Sequence, residues 1–320
     1  MEYLSSAVLE ITAIIMSVLT FFGNITSPSK LTPIDNPESE AVLATVVALA
    51  DTQLCNYNPS REPFLIEASE DIKNSAVPVD ALLIAGDVAE NGCQSEYDRV
   101  YEDLKDCGVS RYIFCTGNHD IRLREFKQSQ ERFFALLNKL NDAGHQQNNT
   151  YYSTDVNGFR FIVIGSDKTK FEDAYISEKQ LEFLNSELKN ATKDGKPAFV
   201  LCHYPLKDTH GLPDTWSNSL WESGSIGKQN DRVANILNRY DNVFFITGHL
   251  HTGFGQYTYQ SLGNAHGINL PSLGIKNKDG DCNERGIGYI IQIFGNKVVF
   301  RARNFATGEY LTDYDRQFEY

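Results

Sequence analysis

Residues 112–120 read Tyr112-Ile113-Phe114-Cys115-Thr116-Gly117-Asn118-His119-Asp120. A short β-branched and aromatic run is followed by a glycine and then by three side chains that carry lone pairs or a charge, which predicts a buried strand ending in a polar loop. The pattern recurs four times. Val46–Ala50 leads into Asp51-Thr52-Gln53, Ala81–Ala85 into Gly86-Asp87, Ala198–Cys202 into His203, and Val243–Thr247 into Gly248-His249-Leu250-His251. Near-continuous apolar runs belong to strands covered on both faces. Helical patterns separate them at Phe64–Ser75, Ser95–Asp106, Leu123–Leu140, Ser177–Ala191 and Asn230–Tyr240. Strands alternating with helices predict an α/β fold, and in such folds ligands gather beyond the carboxyl ends of the strands. Every candidate ligand in this sequence stands at such an end.

A single Asp or His after a strand is ordinarily a turn residue or a satisfied core residue. Five such ends, holding four of the seven histidines, point to one shared site. Gly86, Gly117 and Gly248 precede the key side chains and allow sharp turns with close backbone approach. In an extended segment residues i and i+2 face the same way, so Asp51 with Gln53, and His249 with His251, are expected to reach one region.

Asp51-x-Gln53, Gly86-Asp87 with Gly92 five residues on, Gly117-Asn118-His119-Asp120, His203 and Gly248-His249-Leu250-His251 together resemble the calcineurin-like metallophosphoesterases. The blocks are in order and cover most of the chain. The resemblance implies a two-sheet sandwich flanked by helices, holding two divalent metal ions. It assigns Asp51, Gln53, Asp87 and His251 to the first ion and Asp87, Asn118, His203 and His249 to the second. Carboxylate, amide and imidazole ligands without thiolate suit Mn, Fe or Zn. The implied activity is hydrolysis of a phosphomonoester or phosphodiester, cyclic nucleotides included, by a hydroxide bridging the two ions. His119 is expected to assist as the non-ligand histidine at the phosphoryl group, with Asp120 orienting its imidazole.

Two departures qualify the likeness. The first block usually reads Asp-x-His, and Gln53 is a weaker, neutral ligand; its presence raises pyrophosphate cleavage in a nucleotide diphosphate as an alternative. Glu90 stands where purple acid phosphatases carry a tyrosine, which argues against a purple ferric enzyme. An alternative of another class is a non-catalytic, protein-binding relative of the same fold.

Substrate contacts are expected from His210 in the long segment 207–229, which also holds Lys207, Trp216 and Trp221, and from Arg122, with Arg124 nearby. Tyr257, Tyr259 and His266 stack on a base or sugar, or simply pack. Gly288–Phe294 and Lys297–Phe305 read as a hairpin closing the second sheet.

The rest of the composition bounds the setting. The 320 residues are 41% hydrophobic with net charge −13 and mean hydropathy −0.35. This excludes a mostly disordered chain and a polytopic membrane protein. An acidic surface repels nucleic acid polymers but does not forbid the small phosphorylated substrate that the resemblance implies, because a bound metal can invert the local field. Ile11–Phe22 is an apolar, uncharged run that fits a signal or membrane anchor, with a cytoplasmic protein as the alternative. Residues 1–40 are therefore expected to be an N-terminal segment and linker, and residues 41–320 the catalytic domain. Cys115 and Cys202 read as core residues, and in an exported protein Cys55 and Cys93 could pair.

Overall fold

In chain order the strands are β1 (Ala44–Leu49), β2 (Ala81–Ile84), β3 (Arg111–Phe114), β4 (Tyr152–Val156), β5 (Phe159–Val163), β6 (Ala198–Leu201), β7 (Val243–Thr247), β8 (Tyr259–Ser261), β9 (His266–Asn269), β10 (Ile287–Ile293), β11 (Lys297–Asn304), β12 (Glu309–Tyr310) and β13 (Arg316–Glu319). The helices are α1 (Glu62–Lys73), α2 (Gln94–Leu104), α3 (Asn118–Ile121), α4 (Phe126–Leu140), α5 (Glu178–Ala191) and α6 (Asn230–Leu237). The computed structural model describes residues 32–216 and 223–320. The apolar run at 11–22 and Trp221 lie outside the described residues. Among the described residues no helix is long and apolar enough to cross a membrane.

One sheet has the order β12-β11-β10-β1-β2-β3 with β13 also on β11, and the other β4-β5-β6-β7-β9-β8. β1, β2 and β3 run parallel, as do β5, β6, β7 and β9, so the carboxyl ends of the central strands of each sheet lie along one edge. The apolar runs explain this arrangement. In β5, β6 and β7 alternate residues face opposite ways. Phe161, Phe199 and Phe244 stack in a row at 4.6 and 5.3 Å on the inner face, and Phe244 meets Phe300 of β11 at 5.4 Å. Their neighbours Ile162, Val200 and Phe245 face outward into a second cluster with Leu181, Leu184 and Val233 of α5 and α6. Each fully buried side chain of this size contributes about 1.5–3 kcal/mol.

Three expectations are corrected. The compact unit begins at Pro33, ahead of residue 41, because Ile34 is buried and its carbonyl accepts from Ala76 N at 2.8 Å. The last hairpin lies in the first sheet, where β10 pairs antiparallel with β1. Cys55 and Cys93 are free thiols, and Cys93 Sγ accepts from Asn56 Nδ2 at 3.4 Å. Cys115 and Cys202 are buried as expected.

On α2, the Asp103 carboxyl is pushed up to about 7, by burial first and then by the charge of Glu62. A carboxyl raised in the folded state weakens folding as pH climbs from its unfolded value through about 7. Asp103→Asn is therefore expected to raise Tm at pH 8, by roughly 1–2 °C, and to leave it unchanged near pH 4. A thermal melt at both pH values checks this, and equal effects at the two would contradict it.

Candidate metal centre

Five strand ends meet at one edge of the sandwich. Asp51 and Gln53 follow β1, Asp87 follows β2, Asn118 opens α3 after β3, His203 follows β6, and His249 and His251 follow β7. All but His251 are buried. The expectation that extended backbone aims the paired side chains is corrected. Ten described non-glycine residues have a left-handed φ, and five of them are Asp51 (52°), Gln53 (41°), Asp87 (50°), His249 (75°) and His251 (50°). Such conformations cost about 1–3 kcal/mol each and persist only where the surroundings impose them, characteristically at functional sites. Hydrogen bonds between the loops that follow β1 and β2 supply that constraint: Asp51 N donates to Gly86 O at 3.1 Å and Gln53 N to Asp87 O at 2.8 Å.

The glycines make room for carboxylates. A Cβ on Gly117 would lie 2.0 Å from Asp87 Oδ1, and one on Gly248 2.6 Å from Asp51 Oδ2. No larger residue fits at either position without displacing a candidate ligand.

The side chains form two groups that could hold a cation, Asp87–His203–His249 and Asp51–Asp87–His251, each with donor atoms within 4.8 Å of one another. His203 Nδ1 donates to Ala85 O at 2.7 Å, which leaves Nε2 facing Asp87 Oδ2 and Asn118 Oδ1, both at 3.2 Å. His251 Nε2 is 3.2 Å from Asp51 Oδ1, and His249 Nδ1 is 3.1 Å from His203 Nε2. Burial opposes charge on His203, but Asp87 and Asp51 carry it up to about 9. His249 is pushed well down, by burial and then by the charge of His203. Asp87 is held below the usual carboxylate range; its burial works the other way and is overcome by His203 and His119. Two buried acceptors, Gln53 Oε1 and His249 Nε2, have no hydrogen-bond partner. A buried lone pair left unpaired is costly, and a cation satisfies it, so these residues fit a metal.

His119 stands beside this cluster, its Nε2 4.0 Å from Asp87 Oδ2. Its carboxylate partner is Glu90, the residue that stands where purple acid phosphatases carry a tyrosine. His119 Nδ1 lies 2.9 Å from Glu90 O and 3.3 Å from Glu90 Oε1. Glu90 also accepts from Gln53 Nε2 at 3.3 Å and pairs with Arg61, so one carboxylate steadies a candidate ligand and the histidine together. Burial disfavours charge on His119, yet Asp87 and Glu90 leave its pKa raised.

Asp120 does not orient His119. Its carboxylate accepts from Gly117 N (2.9 Å), Ala89 N (3.1 Å), Val88 N (3.3 Å) and Tyr97 OH (3.0 Å), tying α3 to the Asp87 loop. Buried there and next to Asp87, its pKa is pushed up to about 7.

A cavity of about 260 Å³ opens over the cluster, with Arg122, Glu172, Trp216 and Lys278 on its walls. Trp216 stacks on His249 at 4.5 Å. Arg122 is at the cavity as expected, but His210 is not. His210 is buried, with Nδ1 bonded to Tyr257 O at 2.7 Å, and desolvation pushes its pKa down to about 4. The aromatic loop takes the packing role, with His266 stacked on Phe244 at 5.1 Å.

The family model for calcineurin-like phosphoesterases matches residues 44–253, more than half of the chain. The chain belongs to the calcineurin-like phosphoesterase family. It is 23% identical over 195 residues to a 3′,5′-cyclic-nucleotide phosphodiesterase of Nostoc sp., a match covering 61% of this chain and 62% of that one. It is 27% identical over 183 residues to a probable glycerophosphodiester phosphodiesterase of Arcobacter nitrofigilis, covering 56% and 59%. The chain thus spans about three fifths of the length of these relatives. A dimetal phosphatase from Danio rerio shares the fold, with TM-score 0.62 at 15% identity over 88% of this chain and 100% of that one.

Proposed function

We propose that this chain is a metal-dependent phosphoester hydrolase acting on a phosphodiester. The observation that carries the reading is that two donor groups share one carboxylate, Asp87. Asp51, Gln53, Asp87 and His251 would hold one divalent cation, and Asp87, Asn118, His203 and His249 the other. Bound cations of this kind supply Lewis-acid polarisation of a phosphoryl oxygen and make water acidic enough to be a nucleophile near neutral pH. Mn, Fe and Zn all suit these ligands.

The chain's own residues do the remaining work. Glu90 O accepts a hydrogen bond from His119 Nδ1, which leaves Nε2 on the cavity side as the atom that would carry a proton to the substrate. That proton would go to the departing ester oxygen. Trp216 forms one wall of the cavity, stacked on His249. The diester preference is supported by what the Nostoc and Arcobacter relatives are named for.

The test is turnover after chelator treatment and repletion with Mn²⁺. Hydrolysis of bis(4-nitrophenyl) phosphate is expected to return with Mn²⁺ and to exceed that of 4-nitrophenyl phosphate. No cation-dependent turnover of either ester contradicts the reading, and faster monoester turnover contradicts the diester preference.

A further inference from the structure

We propose that Glu172, on the segment between β5 and α5, is a positioning residue that sets the orientation of the Asn118 amide. The proposal rests on reading the cluster as a cation centre. A primary amide offers an oxygen and an NH₂ of nearly the same shape, and only the oxygen has a lone pair for a cation. A ligating Asn therefore needs partners that fix which end faces inward.

Asn118 Nδ2 donates to Glu172 Oε2 at 2.8 Å and to Phe171 O at 3.1 Å. Both amide hydrogens are thereby engaged, and Oδ1 is turned toward His203 Nε2 at 3.2 Å. A flipped amide would face Oδ1 against a carboxylate and a carbonyl, three acceptors with no proton between them. Glu172 is itself anchored. Its Oε1 accepts from Arg122 Nη1 at 3.2 Å, and the Arg122 guanidinium lies over the Phe171 ring at 5.0 Å. The Glu172 and Arg122 side chains are only 15% and 14% exposed, so the charge-assisted bonds act with little competition from water. Arg122 Nη2 also reaches to 3.0 Å from His119 Nδ1, so the same pair touches the candidate acid. Sequence reading gave no sign of Glu172, which lies 54 residues from Asn118.

Partners that orient metal ligands typically cost about 10–100-fold in metal affinity when removed. Mn²⁺ binding by isothermal titration calorimetry tests this with wild type, Glu172→Ala and Glu172→Gln. Glu172→Ala is expected to bind Mn²⁺ about 10–100-fold more weakly, with activity recovering at high Mn²⁺. Glu172→Gln keeps an acceptor oxygen for Asn118 Nδ2 and is expected to bind close to wild type. Tm of the chelator-treated proteins is expected to be similar for all three.

Wild-type affinity in Glu172→Ala overturns the proposal. So does a Glu172→Gln as weak as the alanine variant, which assigns the effect to charge instead. A collapse in Tm that accompanies the lost binding also overturns it, making Glu172 structural. A wild type that takes up no Mn²⁺ overturns the cation-centre reading itself, an outcome distinct from the other three.

Discussion

Asp87→Asn is expected to lower kcat/KM by about 1,000-fold or more, roughly 4 kcal/mol at the usual 1.36 kcal/mol per decade. Asn has the same shape, so the side chain still fits the space that Gly117 leaves for it. What changes is that one oxygen becomes an NH₂ and the charge disappears. Both donor groups contain Asp87, so a single substitution takes the shared negative charge from both and a donor oxygen from one of them. Loss of a polarising cation at phosphorus is worth several kcal/mol. The backbone is expected to hold, because left-handed φ at Asp87 is tolerated by Asn at least as well as by Asp. The check is steady-state turnover of bis(4-nitrophenyl) phosphate, with circular dichroism to show that the fold is intact. Activity within tenfold of wild type in a folded variant would sink the shared-carboxylate arrangement.

His119→Gln is expected to lower kcat by about 10²–10⁴-fold, the usual contribution of a general acid, with little change in Mn²⁺ affinity. His119 is placed for that role and not for ligation: its Nδ1 is engaged by Glu90 and its Nε2 is 4.0 Å from Asp87 Oδ2. If it protonates the leaving oxygen, the penalty depends on how much that oxygen needs a proton. A 4-nitrophenolate leaves readily without one, and an alkoxide does not. The loss is therefore expected to be smaller for a 4-nitrophenyl ester than for an alkyl ester of the same phosphate. Equal losses for the two esters would rule out proton donation and leave His119 a phosphoryl contact only.

The clustering of the candidate ligands was legible because these side chains sit at strand ends. Apolar runs before Asp51, Asp87, Asn118, His203 and His249 announce buried parallel strands, and parallel strands deliver their carboxyl ends to one edge. How the side chains converge was not legible. Left-handed backbone at Asp51, Gln53 and His251 follows from loop hydrogen bonds that no period in the sequence encodes.

Asp120 follows His119 in the chain but does not face its ring. Asn118–Ile121 is a helical turn, and successive residues on a helix point about 100° apart. Asp120 thus reaches back to Gly117 N while His119 faces the cavity. Glu90 comes from another loop, 29 residues away, and only the fold reveals it. His210 looked like a phosphate contact in a polar segment, yet its ring is buried against Tyr257 O. One further turn follows from residue type alone. Asn157-Gly158, with φ of 51° and 85°, is the two-residue turn that joins β4 to β5. The sheet that the last hairpin joins was not legible either: no residue pattern shows that β10 pairs antiparallel with β1.

The central claim is that side chains from separate strand ends together hold a pair of divalent cations around Asp87. The most direct measurement is elemental analysis of chelator-treated wild type and Asp87→Asn after equilibrium dialysis against Mn²⁺. The account predicts about two Mn²⁺ per chain for wild type and a marked shortfall for the variant. Folded wild type that retains no Mn²⁺, or a variant that retains as much as wild type, would contradict it.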